Sequence, residues 1–458
     1  MLWAAFLVLT AVLIGCLLSI RRQPRVALSL PLVAIFLFAY LYLISPLYLY
    51  FSGDLALFLS DTQAVKGVLI PALMLPSFVA GWNSPRRPRA PRRSHFAWSP
   101  STLFRWGLFT ASAGFVLFFI FILRSGGVQH FYSEPHGTAG AWETNTAYLY
   151  MSPKWLLSGA VLMMLGTVKL RNTWATRIAI APLAVIYAHA ILTGGRGPFF
   201  AATACWFAGA CLAKKRIPPL SKALLLLAFT ALGVALLLGY RNFLHLGDGP
   251  REAPSLSTAL AAPVTLDDSA RAQRNTGMEF IYHALTIDTV DATQKYQLGA
   301  HWIYTVTVHL IPRVIWPDKP YTFTGWGITS DDIAAHTGVT IAGGAAAGLV
   351  GETYRNLGLF ACLLLYALGK LTRRLYIQAW DADSPFATHA YVILYSLSLY
   401  LFAQGIEAVI AQYLYALAPV AALALLAKRD RVTAPQPHPR PARREVLLVL
   451  PKGIQRAS

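Results

Sequence analysis

Charge is what this sequence has least of. Asp, Glu, Lys and Arg make up 13% of its 458 residues, against roughly 25% in soluble globular domains. Acids are the scarcer half: 20 Asp and Glu stand against 39 Lys and Arg, giving a formal net charge of +19. Cysteine is scarce too. Cys16, Cys205, Cys211 and Cys362 all lie in apolar runs, with no Cys-x-x-Cys pair and no Cys/His cluster. Neither a disulfide framework nor a zinc site is expected, and no metal or other cofactor is implied. A basic segment ahead of the first apolar run is missing as well; Arg21, Arg22 and Arg25 follow that run instead. This order suits an uncleaved first span that starts outside and ends in the cytoplasm, not a cleaved secretion signal. No internal repeat is evident.

What is abundant is hydrophobic sequence, 56% of the chain. It gathers in runs of roughly 18 to 25 residues, the length at which a helix crosses a bilayer core of about 30 Å. The runs predict an all-α, polytopic transmembrane helical bundle. Spans fall near residues 2–20, 28–50, 65–82, 104–124, 151–168, 177–193, 198–213 and 221–240, then 343–368, 385–404 and 406–427. That is about 11 spans, with the N-terminus outside and the C-terminus inside. Four regions follow: helices over 1–240, a large exported loop over 241–342, helices over 343–427 and a basic cytoplasmic tail over 428–458.

A net charge of +19 could suggest nucleic acid, but the cations are placed otherwise. They cluster between alternate apolar runs, as in Arg21-Arg22, Arg86-Arg87, Lys169 with Arg171, Lys214-Lys215-Arg216, Arg373-Arg374 and Lys428-Arg429. This is the positive-inside pattern of a multi-pass membrane protein. The Pro- and Arg-containing stretches 84–93 and 434–444 read as cytoplasmic linker and tail.

The interruption at 241–342 is far longer than a connecting loop requires. Gly247 to Arg274 is rich in Pro, Ser, Ala and Asp and reads as irregular. Thr276 to Thr293 and His301 to Ile315 have helical apolar spacing mixed with Glu279, Tyr282, His283, His301 and His309. Both are expected to be amphipathic helices at or beneath the exported surface.

Several polar groups sit where an apolar chain has no structural need of them. Arg196 lies in Thr193-Gly194-Gly195-Arg196-Gly197-Pro198 between two spans. Arg241 closes the eighth span. Ile311-Pro312-Arg313-Val314-Ile315-Trp316-Pro317-Asp318-Lys319-Pro320 packs two cations and an acid among three prolines. Glu352 and Arg355 fall inside the ninth run, three residues apart and so on one helical face. An ionised group at mid-bilayer costs about 2.5 to 3.5 kcal/mol even on the mild scale. Each group also has a plain reading: an interfacial turn, an intramembrane ion pair or a re-entrant bend. The assignment of Arg196, Arg241, Arg313, Lys319 and Arg355 to one face, opposite most other cations, favours a site. Guanidinium groups grip phosphate oxygens with paired hydrogen bonds. Tyr282, Trp302, Trp316 and Trp326 are candidates to stack on sugar rings.

These residues carry a resemblance. Thr193-Gly194-Gly195-Arg196-Gly197, Pro312-Arg313 with Trp316-Pro317-Asp318-Lys319-Pro320, and Gly351-Glu352 with Tyr354, Asn356 and Gly358 resemble the Wzy-type O-antigen polymerases, the oligosaccharide repeat unit polymerases. The layout, many helices with one large late exported loop, is similar as well. The first 180 residues offer no motif. The resemblance implies a metal-independent glycosyltransferase of the bacterial inner membrane, working at the periplasmic face without a cofactor. Donor and acceptor would be oligosaccharides on undecaprenyl pyrophosphate, and a chain-length regulator and a flippase would share the pathway. Under this reading Arg196, Arg241 and Arg313 hold pyrophosphate, assisted by Lys319 or Arg355, with Asp318, Trp316 and Tyr282 nearby. Glu352 is the first choice for general base, ahead of Glu279 and His283. A lipid-glycan ligase has a similar layout; a flippase or a non-catalytic assembly partner is the alternative of another class.

Overall fold

The computed structural model describes residues 1–21, 25–84, 98–133, 147–170, 172–193, 195–217, short pieces between 225 and 233, 278–308, 311, 315, 316, 318, 319, 328–339, 346–381 and 384–433. Arg241, Arg313, Trp326, the Gly247–Arg274 stretch, most of the span expected over 221–240, the 85–97 linker and the tail beyond 433 lie outside the described residues.

All regular structure among the described residues is helical. The main helices are α1 (Leu2–Arg21), α2 (Leu30–Ser52), α3 (Asp61–Asn83), α4 (Pro100–Arg124), α5 (Pro153–Leu170), α6 (Thr173–Thr193) and α7 (Arg196–Lys214). After them come α8 (Met278–Thr293), α9 (Ala300–Thr307), α10 (Ser330–Thr337), α11 (Gly348–Leu357), α12 (Ala361–Trp380), α13 (Pro385–Ser396), α14 (Ser398–Ala403) and α15 (Ile406–Thr433). Six of these, α1, α2, α3, α4, α6 and the Ile406–Leu426 part of α15, are long and apolar enough to cross a membrane. Large apolar side chains such as Leu7, Phe36, Phe109, Phe115 and Leu363 stand on the outside, as lipid-facing groups do when hydrocarbon is the solvent. The chain has the architecture of a helical membrane protein.

Small residues let the helices close up where no hydrophobic force drives them together. A Cβ on Gly107 would lie 2.8 Å from Gly159 O, and one on Gly166 2.7 Å from Pro100 O, so α4 and α5 touch backbone to backbone. The same holds for α3 and α12. A Cβ on Gly81 would lie 2.0 Å from Tyr366 O, and one on Gly369 2.1 Å from Phe78 O. Either Gly81→Ala or Gly369→Ala is therefore expected to wedge α3 from α12 at a cost of about 1–3 kcal/mol. The check is the thermal unfolding temperature in detergent, which should fall for both and stay put for Leu363→Ala on the lipid face.

The bundle has two chemically different ends. At one end Arg25 lies 3.4 Å from Asp381 and 4.1 Å over the Trp380 ring. There Lys215 Nζ donates to Ala379 O at 2.6 Å and Trp380 O at 3.0 Å, and Arg373 stacks 5.3 Å from the Trp82 ring. The short α6–α7 joint lies at the other end. So does a polar network: Lys66 Nζ reaches Asp291 at 2.7 Å and Asp288 at 3.7 Å, Gln63 Nε2 donates to Asp288 at 2.8 Å, and Tyr354 Oη donates to Asp291 at 2.6 Å. This network ties α3, α8 and α11 together.

Two expectations change here. The 278–293 segment is not a surface helix. Phe280, Ile281, Ala284, Leu285, Ile287 and Val290 are buried, and α8 packs inside the bundle on α3 and α11. Thr286, Thr289 and Thr293 turn their hydroxyls back onto carbonyls four residues earlier, at 2.7, 2.8 and 2.7 Å, which hides their polarity. A Cβ on Gly67 of α3 would lie 2.9 Å from Ala284 Cβ, so that glycine gives α8 its place.

The run expected as one span over 343–368 is two helices. α11 stops at Gly358, whose φ of 55° is left-handed, a conformation glycine enters without penalty. The 297–299 turn then covers the open end of α11. Gln297 N donates to Arg355 O at 3.1 Å and Leu298 N to Asn356 O at 3.0 Å, while Gly299 N donates to Asn356 Oδ1 at 3.0 Å. These bonds supply partners for C-terminal carbonyls that have none within the helix. The 385–404 run is likewise divided, into α13 and α14.

Candidate functional site

The helix ends away from the basic Arg25–Arg373 end enclose a cavity of about 540 Å³. Its wall includes Pro153 and Lys154 from the start of α5, His189 near the end of α6, Pro198 at the start of α7, Tyr400 of α14, and Glu407 and Gln412 of α15. Each element reaches the cavity for a local reason. Pro153 and Pro198 stand in the first turns of α5 and α7, where the missing N–H costs nothing. Tyr400 seats its hydroxyl on Gly197; a Cβ there would lie 2.0 Å from it. Gly197 is needed for this close approach.

Lys154 carries the cavity's cation. Its ammonium lies 5.0 Å from the Tyr400 ring centroid, and it forms no ion pair among the described residues. His189 is near enough to feel its charge. Arg196 opens α7 just ahead of Gly197 and Pro198, half-buried and without an ion pair among the described residues. An amine with no counter-charge among the described residues, set against an aromatic ring at a cavity, has the chemistry to receive an anion; Arg196 is not among the residues that line the cavity.

Behind the cavity sits Glu352, only 3% exposed. Its Oε1 accepts from Trp302 Nε1 and from the Glu407 backbone N–H, the latter at 3.1 Å. That N–H belongs to the first turn of α15, where helix donors lack partners. Glu352 therefore caps α15 from a different helix, with its carboxyl group at the positive end of the helix dipole. Its Oε2 is buried without a hydrogen-bond partner and lies against Gly405, the left-handed (φ 113°) joint between α14 and α15. Asn356 Nδ2 donates to Glu352 O at 2.8 Å. Glu407, one helical turn into the site, is paired with His301 Nε2 at 2.8 Å.

The residues anticipated from sequence are only partly brought together. Glu352 and Arg355 share α11, close enough to interact electrostatically, and Trp302 joins them. Arg355 is half-buried, with its Nε buried and unpartnered. His283 is elsewhere. It is fully buried, with Nε2 3.1 Å from Gly67 O and its ring 4.8 Å from that of Tyr42, so it packs the α3–α8 contact. Glu279 opens α8 half-buried, and Tyr282 packs against the main core. Lys319 is turned inward on its own loop, donating to Ile311 O at 2.7 Å, while Trp316 and Asp318 on the same turn are exposed. None of these six lines the cavity.

Lys154, His189, Tyr400, His301 and Glu407 were not singled out as site residues from sequence. Two had a signal: Lys154 directly follows a proline at the start of a span, and Glu407 stands in the joint between the last two. Among the described residues no group of His, Cys, Asp and Glu is arranged to hold a metal. No family model, no curated protein and no solved structure matches the chain.

Proposed function

We propose that this chain is a polymerase of lipid-linked oligosaccharide repeat units, acting at the periplasmic face of a bacterial inner membrane. The observation that carries this reading is the cavity at the end opposite the Arg25–Arg373 cluster, largely apolar but holding a carboxylate and a cation that has no ion pair among the described residues. The positive-inside rule assigns the basic end to the cytoplasm, which turns the cavity outward. About 540 Å³ falls in the range of small-ligand sites. A glycan on undecaprenyl pyrophosphate presents a pyrophosphate at the membrane surface and sugar hydroxyls beyond it. Lys154 in the cavity, with Arg196 at the adjoining start of α7, suits the first. Glu407, His189 and Gln412 offer hydrogen bonds to the second.

In the reaction an acceptor hydroxyl attacks the anomeric carbon of the donor, and lipid pyrophosphate departs with the bonding electrons. Fixed cations stabilise that developing charge without rearranging. Arg241 and Arg313 complete the pyrophosphate set in this reading, and the likeness to Wzy-type polymerases in the 193–197, 312–320 and 351–358 strings supports it.

A deletion strain tests the reading in the cell. Loss of long polymer, with single lipid-linked repeats accumulating at the periplasmic face, is the expected outcome. Long lipid-linked polymer left unattached would mean a ligase instead, and repeats held at the cytoplasmic face a transporter.

A further inference from the structure

We propose that Glu407, paired with His301, is the proton acceptor of the transfer, and that Glu352 positions it. The inference rests on the polymerase reading above and moves the base away from the residue the sequence favours.

The geometry separates the two carboxylates. Glu352 does not line the cavity; Glu407 does. One oxygen of Glu352 is committed to the Trp302 and Glu407 N–H groups, and the other is sealed against Gly405. A general base must come within hydrogen-bond reach of the hydroxyl it deprotonates, and Glu352 offers no open atom. The Glu407 side chain is 37% exposed, and that of His301 22%. Only Oε1 of Glu407 is held by His301, at 2.8 Å, which leaves Oε2 for substrate. A carboxylate only accepts, so His301 Nε2 carries the hydrogen between them. Glu352 in turn holds the backbone N–H of residue 407 and the indole of residue 302, fixing both partners of the dyad.

The step balances without a co-reactant. Glu407 Oε2 takes the proton of the acceptor hydroxyl as its oxygen bonds the donor's anomeric carbon. The bond from that carbon to the pyrophosphate oxygen breaks, and its electron pair leaves with lipid pyrophosphate. The proton then passes to solvent through the cavity. Among the described residues, the other ionisable groups around the dyad are Lys154, His189, Tyr150 and Tyr400 lining the same cavity, Tyr304 beside His301, and Glu352 with Arg355 behind it.

The test uses the full chain, purified in lipid nanodiscs with lipid-linked repeat units, and follows polymer ladders across pH. Glu407→Gln should slow elongation about 10²- to 10⁴-fold and abolish the fall in rate at low pH that this role requires of the wild type. Formate should restore part of the rate to Glu407→Ala, which a purely structural role would not allow. Glu352→Gln should lose rate and thermal stability together but keep the acid limb. A wild-type ladder with unchanged rate and acid limb in Glu407→Gln overturns the role of Glu407 alone. So does loss of the limb in Glu352→Gln but not in Glu407→Gln. No ladder from the wild type at any pH overturns the polymerase reading and this inference with it.

Discussion

Lys154→Met is expected to abolish polymer formation while leaving the protein at least as stable as before. Methionine keeps much of the apolar stem against Tyr400 and removes the charge. The lost cation–π contact is worth about 0.5–2 kcal/mol, and it is offset by relief of the desolvation that an unpaired, half-buried ammonium suffers. Lys154 has no carboxylate partner among the described residues, so nothing is orphaned by its removal. If the ammonium steadies the departing pyrophosphate, its loss should slow elongation about 10²- to 10³-fold. The measurements are elongation rate and unfolding temperature on the same preparation. A rate that collapses while the unfolding temperature holds or rises is the signature of a group retained for chemistry. A parallel fall in both would make Lys154 a packing residue.

Gly405→Ala should have the largest effect on the fold. A non-glycine residue at a φ of 113° stores about 1–3 kcal/mol of backbone strain. The new Cβ would also sit 1.5 Å from Glu352 Oε2 and 2.7 Å from its Cδ. Relief requires moving either the α14–α15 joint or the carboxylate, and the carboxylate caps α15 and holds Trp302. We expect a large drop in unfolding temperature and loss of activity. Removing the obstacle should help: Glu352→Ala with Gly405→Ala should cost less than the sum of the two single changes, by about 0.5–3 kcal/mol. Strict additivity would show that the two residues do not press on each other.

How much of this was legible in the sequence depends on how local the cause was. The helices long and apolar enough to cross a membrane, α1, α2, α3, α4, α6 and α15, are written in long apolar runs, because bilayer thickness sets a length that needs no tertiary information. α8 was not legible as a core helix. Whether a threonine is polar or self-satisfied depends on its rotamer, and Thr286, Thr289 and Thr293 all fold back on the helix. The break at Gly358 was available as a residue but not as a decision, since the partners that cover α11, Gln297 and Leu298, lie some sixty positions away.

The site divides the same way. Glu352 stood out because an acid in an apolar run is conspicuous, and the structure gives it an unusual environment. Its task was hidden, because capping α15 joins residues far apart in the chain. Lys154 and Glu407 were overlooked for the opposite reason: a charged residue at the mouth of a span looks ordinary until the ends of α5, α6, α7, α14 and α15 are seen to meet. Lys319 stood out in the sequence, but its side-chain partner did not. The 311–320 string looked like a ligand loop, yet its ammonium closes the turn on Ile311 O.

The most direct measurement is reconstitution of the purified protein with lipid-linked repeat units alone, resolving products by size. A ladder spaced by one repeat, with free lipid pyrophosphate released at each addition, is the predicted result. Repeat units recovered unchanged by a protein shown to be folded would contradict it.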